Sequence, residues 1–370
     1  MDFTFTPEQD EAAELAARIL EDRATNERMK QVEADGDRFD PELWAELGSA
    51  GLLGLALPEE YDGAGLGLIE LCRVVVEVGR KVAPVPLVAH GAAGRLMAEQ
   101  GSADQKQAWL PGAASGARLL TAAVAEDLQP LPKHPQTTAE RADDGWTLSG
   151  VKTLVPTGTR ADLFLVTATT PSGSGVFLVE PDTDGVAVLA QQTSDGDLAA
   201  RVELVRAPGE PLGDAGAATR LGQLLVLAAC AEQLGVTEGA LALTSAYAKE
   251  REQFGRPIGT FQAVSQRLAD GYVDVLGQGL TLWQAAWRLS EGLPAGTELA
   301  VAKLWAADAG HRLAHTTVHV HGGVGIDLDG EAHRFFTTAK RFEFAYGGTT
   351  GQALDIGRAL AAQPSEAQPA

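Results

Sequence analysis

The spacing of apolar positions divides the chain into three stretches. In the first, apolar residues recur every three to four positions, the period of helices with one buried face. Thr6, Pro7 and Gln9 read as an N-cap, a first-turn proline and a reciprocal capping partner, and Ala12, Leu15, Ala16 and Ile19 form the stripe that follows. Asp40 and Pro41 open a second helix with Leu43, Trp44 and Leu47 facing inward. The turn-rich piece LPEEYDGAGLGL at 57–68 separates it from a third helix over 69–83. That helix carries a β-branched run of poor propensity, so tertiary burial has to hold it. Ser102 and Gln105 start a short fourth helix over 102–111.

Near residue 118 the pattern changes. Thr137, Trp146, Leu148, Leu163, Leu165, Phe177 and Val179 fall in short alternating or apolar segments, with turn formers at 143–145, 171–175 and 181–185. These are strand and hairpin signatures. From residue 217 the helical period returns and predicts long helices over about 217–250, 260–291 and 297–318, the material of a bundle. The expected domains are an N-terminal helical domain at 1–117, a small β domain at 118–212 and a helical bundle at 213–361. Residues 362–370 have the composition of a disordered tail. No βαβ alternation is present, so the glycine-rich pieces lack the context of a dinucleotide fingerprint.

Composition adds little to this outline but excludes several classes. With 29 Lys plus Arg against 50 Asp plus Glu, the chain carries a formal charge of −21, which argues against nucleic acid as a partner. Cys72 and Cys230 lie in apolar helical segments and read as buried thiols, with no zinc or other metal site. The acidic N-terminus has no apolar core of a signal peptide, and LGQLLVLAAC at 221–230 is too short to span a bilayer unaided. A cytoplasmic protein without a membrane partner is expected.

Three pieces could carry chemistry. In REQFGRPIGTFQAVSQRLAD at 251–270, Arg251 and Arg256 bracket a turn, and an arginine fork suits a phosphate or pyrophosphate. Two surface arginines beside acidic neighbours account for the pattern equally well. In VHVHGGVGID at 318–327, Gly322, Gly323 and Gly325 would let the chain pass close to a ligand, or simply let helix ends pack. His319 and His321 have poor spacing for a helical metal pair. In FAYGGTTGQALDIG at 344–357, glycines lie between an aromatic run and a helical tail, and no acid stands between Glu343 and Asp355.

Together with PEEYDG in the 57–68 turn, these pieces resemble the acyl-CoA dehydrogenase family over nearly the whole chain. The 251-REQFG-255 and 261-FQA-263 segments resemble the family's arginine–phenylalanine–glycine turn. Likewise 320-VHGGVG-325 is similar to its last glycine turn, and 346-YGGT-349 to its YEGT motif. The resemblance implies an acyl-CoA dehydrogenase-like fold: an N-terminal helical domain, a central β domain and a C-terminal four-helix bundle. It also implies FAD, α,β-dehydrogenation of a CoA thioester, and electron delivery to an electron-transferring flavoprotein. Arg251 resembles the arginine that reaches the FAD pyrophosphate of a neighbouring subunit, with Phe254 packed beside it. Gln262 matches a contact to the adenylate half. His319 stands where the family usually has glutamine, Gly322 and Gly323 match its close backbone approach, and Thr349 matches the threonine after the catalytic position.

The departures concern the catalytic half. The family's catalytic glutamate position is Gly347, and the alternate base position on the first long C-terminal helix is Leu225, followed by Val226. Neither glycine nor leucine can take a proton. The loop expected to carry TEPxxGSD reads AEDLQPLPKH at 125–134, and the stretch expected to cover the flavin reads LVPTG at 154–158. This pattern resembles the smaller, base-less subunits of actinobacterial α2β2 steroid-CoA dehydrogenases. It implies FAD shared with a catalytic partner subunit that holds the acyl-CoA, and a chain inactive alone. A homotetrameric enzyme with its base relocated to Glu343, Asp270 or Asp274, and a non-catalytic scaffold on the same fold, remain the competing expectations.

Overall fold

The computed structural model describes residues 4–36, 38–142 and 145–362. Six helices come first: α1 (Pro7–Arg23), α2 (Asn26–Ala34), α3 (Pro41–Ser49), α4 (Leu68–Arg80), α5 (Leu87–Gln100) and α6 (Ala103–Ser115). The expected caps are present. Thr6 and Gln9 form a capping box on α1, Asp40 accepts from Glu42 N and Leu43 N on α3, and Ser102 and Gln105 box α6. The stripe of α1 centres on Ala12, Ala13, Ala16 and Leu20, one position round from the expected face. Two helices had no clear periodic signal. α2 is short and polar with only Met29 and Val32 buried, and α5 is buried almost all round. α6 continues through Pro111 to Ser115, beyond the expected end.

The central domain contains β1 (Leu120–Ala123), β2 (Thr138–Ala142), β3 (Gly145–Pro156), β4 (Leu163–Thr170), β5 (Gly173–Val179), β6 (Val186–Gln192) and β7 (Leu198–Leu212). Their order is β1-β4-β2-β3-β7-β5, and β5 pairs back with β4, so five strands close on themselves while β1 and β6 flank them. Leu148, Phe164, Val166, Phe177 and Val202 fill the interior. The turn expected at 143–145 lies largely outside the described residues, as does the tail expected beyond Ala362.

The third unit begins with α7 (Ala217–Glu250), followed by a two-residue hairpin, β8 (Glu252–Gln253) and β9 (Arg256–Pro257). Then come α8 (Gln262–Ser290), α9 (Gly296–His321), α10 (Ala332–Phe344) and α11 (Thr349–Ala361). α7 to α10 form the expected four-helix bundle, and α11 lies along α9. α7 is long and apolar enough to cross a membrane by length and composition, but 89% of that window is buried within the protein, so it is a core helix. Cys72 and Cys230 are free and buried, and burial pushes both thiols up.

α4 and α7 cross at backbone contact. A Cβ on Gly235 would stand 1.9 Å from Val76 O, and one on Gly79 would stand 2.1 Å from Glu232 O. The buried valines of α4, Val74, Val75, Val76 and Val78, thus find the tertiary packing their propensity demands. Gly235→Ala is expected to cost about 1–3 kcal/mol by forcing these helices apart. Equilibrium urea unfolding of the full chain measures it, and a cost near zero would show that the crossing can relax.

Candidate functional site

The bundle sorts the candidate residues into two ends. Short connections make α7 to α10 run alternately up and down, so the end of α7, the start of α8, the end of α9 and the start of α10 share one end. His321 fixes this arrangement: its ring stacks on Tyr247 of α7 with centroids 4.4 Å apart, and its Nδ1 lies 2.8 Å from Thr317 O. Arg251, Phe254, Gln262, His319, Gly322 and Gly323 all lie at this end. Gly347 and Thr349 lie at the other, where α10 turns into α11.

At the first end Arg251 caps α7, and Ile258 N donates to Arg251 O at 2.8 Å. Phe254 and Gly255 are both left-handed, with φ of 55° and 75°, as a tight two-residue hairpin requires. The Phe254 ring is 93% exposed and edge-on to Phe261, at 6.1 Å between centroids. Phe261 is thus an aromatic neighbour of Phe254 in this turn. Arg256 stacks over the same Phe261 ring at 4.2 Å. Arg251 is exposed and joins no ion pair among the described residues. Gln262 is the first residue of α8 and exposed, as is His319 on the last turn of α9. At Gly322, with φ of 66°, and at Gly323, a Cβ would meet nothing within 4 Å. The backbone there is open to an incoming group. An unpaired arginine, a helix N-terminus and bare glycine backbone form a donor set that fits a pyrophosphate.

The other end has no such set. Tyr346 is left-handed, with φ of 57°, and Gly347 follows with φ of 115°. Gly347 N donates to Phe344 O at 3.1 Å, and Gly348 is the N-cap of α11. Lys303 of α9 fixes this turn by donating to Phe342 O at 2.6 Å and Glu343 O at 3.4 Å, carbonyls left over at the end of α10. Burial lowers the Lys303 ammonium to about 8 and raises the Tyr346 hydroxyl. Leu225 and Val226 are buried in the main core. The candidate relocated bases are otherwise engaged or remote. Asp274 accepts two bonds from Arg312 at 2.7 and 2.9 Å, Glu343 is held by Lys340 and by His311, and Asp270 is exposed.

Two loops of the β domain complete this region. Glu126 accepts from Gln136 N at 2.6 Å, Thr137 N at 2.9 Å, Thr137 Oγ1 at 2.7 Å and Lys152 Nζ at 2.8 Å, so the 125–137 segment is wound around one buried carboxylate. Leu154 and Thr157 are both left-handed, with φ of 49° and 51°, and Leu154 N donates to Gln191 Oε1 at 2.7 Å. Neither Glu126, Lys152 nor Lys303 was singled out by sequence. For Lys152 and Lys303 the available signal is a lone charge inside an apolar stretch.

Comparison with known proteins places this architecture. The models of the acyl-CoA dehydrogenase N-terminal and C-terminal domains match residues 6–117 and 225–361. The acyl-CoA dehydrogenase FadE27 of Mycobacterium tuberculosis is 44% identical over 99% of this chain and 100% of its own length. The chain belongs to the acyl-CoA dehydrogenase family. Among solved structures, a chain of the ChsE4-ChsE5 complex from Mycobacterium tuberculosis superposes with a TM-score of 0.94 at 44% identity, over 99% of this chain and 100% of that one. A chain from a variant of the Tcur3481-Tcur3483 steroid ACAD gives 0.92 at 42% identity, over 96% and 98%. Butyryl-CoA dehydrogenase from Megasphaera elsdenii gives 0.87 at 26% identity, over 98% and 100%. The expected family and fold are therefore borne out.

Proposed function

We propose that this acyl-CoA dehydrogenase chain is the base-less subunit of a heteromeric, FAD-dependent enzyme that dehydrogenates a CoA thioester, with a steroid side chain as the substrate class. The observation that carries this reading is the distance between the two ends. Arg251 lies 26 residues beyond Leu225 on α7, about 39 Å at 1.5 Å per residue. An extended dinucleotide does not reach that far. The Arg251 end therefore serves a cofactor seated mainly in another chain, while this chain's own catalytic end presents glycine and leucine at the base positions. The 44% identity to a chain of a two-component complex, and the 42% identity to a chain of a steroid enzyme, support the same reading.

When bound, FAD would accept the hydride that leaves the thioester's β carbon. This chain's part is to bind and orient. Arg251 neutralises pyrophosphate charge, Gly322 and Gly323 admit it to the backbone, and Gln262 and His319 line its approach. Thr349 at the far end faces the family's flavin side without an acid beside it. Proton abstraction at the α carbon then falls to the partner's base. The exposed apolar side chains Tyr272, Val273, Leu276 and Leu280 on α8 support assembly with a second chain. The resemblance to α2β2 steroid-CoA dehydrogenases extends this reading to an α2β2 assembly with the catalytic subunit, its reduced flavin passing electrons to an electron-transferring flavoprotein.

Co-expression with a full-length catalytic homologue tests the proposal. Two chain types in equal amount, bound flavin and acyl-CoA-dependent reduction of an artificial acceptor are expected. A yellow, active assembly of this chain alone would instead establish a relocated base. A chain that is colourless, stable and inert with every partner would favour a scaffold.

Gly347→Glu restores the missing carboxylate at its family position. No gain in acceptor reduction per bound flavin is expected, because Leu225, Val226 and the 125–137 and 154–158 loops are unchanged. A side chain at φ of 115° should also cost about 1 kcal/mol or more, although the nearest obstacle, Gln352 Nε2 at 2.7 Å from the new Cβ, is a flexible tip. A large gain in rate would show that the carboxylate was the sole defect.

A further inference from the structure

Where the three domains meet, seven charged side chains form one connected group, in which Arg38, Asp195, Glu232 and Arg334 are buried and Glu33, Asp197 and Arg341 keep part of their surface in water. The N-terminal domain contributes Glu33 and Arg38, the β6–β7 hairpin Asp195 and Asp197, and the bundle Glu232, Arg334 and Arg341. Arg341 Nε lies 2.9 Å from Asp195 Oδ2, its Nη1 contacts Asp197, and its Nη2 lies 3.6 Å from Glu232 Oε1. Arg38 lies 4.0 Å from both Asp197 and Glu33 and donates to Val82 O at 2.8 Å. Arg334 closes the chain with two bonds to Glu33, at 2.7 and 2.8 Å.

The charges in this group do not balance. Three guanidiniums face four carboxyls, and water reaches Glu33 and Asp197 but hardly reaches Glu232, where an uncompensated charge is costly. Asp195 and Asp197 take the near sides of Arg341. That leaves Glu232, 4% exposed, with only the 3.6 Å approach of Arg341 Nη2 as an ion pair within 4 Å among the described residues. Among the described residues, the other elements around it supply no further cation. Arg80 of α4 donates to Glu77 on the same helix and to Glu238, further along α7. Lys303 of α9 is spent on the carbonyls of α10, and Tyr346 is half-buried with its hydroxyl raised by desolvation. His333, beside Arg334 and Glu33, is lowered, chiefly by burial.

We propose that Glu232 binds a proton in the closed chain, and that its release unseats the 193–197 hairpin from Arg341 and Arg38, making this junction a proton-dependent clasp between the three domains. Burial supports the assignment by raising the Glu232 carboxyl to about 8, with Arg38 opposing and Asp195 reinforcing the shift. An acid raised in the folded state gives stability that is full below its ordinary value near 4.5 and is lost as pH rises to about 8. The clasp therefore tightens in mild acid and loosens in mild base. This inference does not depend on the catalytic role proposed above.

Hydrogen exchange on the full chain tests it. After correction for intrinsic rates, the opening equilibrium of 193–198 and of α10 is expected to rise about tenfold per pH unit between about pH 6 and about pH 8, then level off. In Glu232→Gln, which mimics the protonated acid, it should stay flat. A flat wild-type profile, or an equal slope in the variant, would overturn the proposal. If Glu232→Gln does not fold, infrared spectra of the glutamate-labelled chain carrying Glu77→Gln decide. An un-ionised glutamate band present at neutral pH and lost in base supports the proposal, and its absence at neutral pH rejects it.

Discussion

Glu126→Ala is expected to cost the chain about 3–5 kcal/mol, enough to unfold the β domain in a marginal background. The cost comes from what is left behind. Lys152 is wholly buried, and besides Glu126 its ammonium has only Thr167 Oγ1 at 3.2 Å and Val124 O at 3.4 Å. Burial already lowers it to about 8 with Glu126 in place. Removing the carboxylate also strands Gln136 N and Thr137 N, whose bonds to Glu126 shape the 125–137 segment. Burial alone would raise Glu126, but Lys152 and these donors outweigh it and hold the carboxylate below its ordinary range. The double change Glu126→Leu with Lys152→Met should lose far less than the single one, because no charge remains buried. Urea unfolding of the two singles and the double separates these outcomes. A single-variant loss below about 1 kcal/mol would mean that water replaces the carboxylate.

Sequence and fold agree where the physics is local. The caps at Thr6, Asp40 and Ser102 rest on residues three or fewer positions apart, and all three form as expected. α5 escaped notice because helix periodicity needs a wet face, and residues Leu87 to Gly94 are all buried. The candidate site divides in the same way. The tight turn at Phe254–Gly255 and the bare glycines at 322 and 323 are local features, and their residue types announce them. What surrounds the altered end is not local. Lys303 meets Phe342 O across 39 residues, and Lys152 meets Glu126 across 26 residues. A carboxyl such as Glu232 looks in sequence like the solvent-facing position of a helix, until α4 and α10 close over it. The sequence also could not set the two halves of the site apart. Only the alternating run of α7 to α10 puts Thr349 and Arg251 at opposite ends of the bundle.

That separation makes Arg251→Ala a specific test of shared cofactor binding. Arg251 is exposed on a capped helix end, and its backbone amide and carbonyl, not its side chain, hold the turn through Tyr247 O and Ile258 N. Truncating the side chain should leave the circular dichroism and unfolding midpoint of the chain close to wild type. Charge-assisted contacts to a phosphate are worth about 1.5–3 kcal/mol, so flavin affinity of the assembled enzyme should fall by at least about tenfold. Arg251→Lys should recover only part of it, because an ammonium cannot form the bidentate pair. The same reasoning fixes where the loss appears. If Arg251 acts on a flavin seated in the partner, the deficit shows only in the co-assembled enzyme, and adding free FAD in excess should restore the rate of acyl-CoA-dependent acceptor reduction without changing the rate per bound flavin. Unchanged flavin content in the complex would remove Arg251 from the cofactor site. A fall in rate per bound flavin would instead place it near the reacting atoms, which the length of α7 opposes.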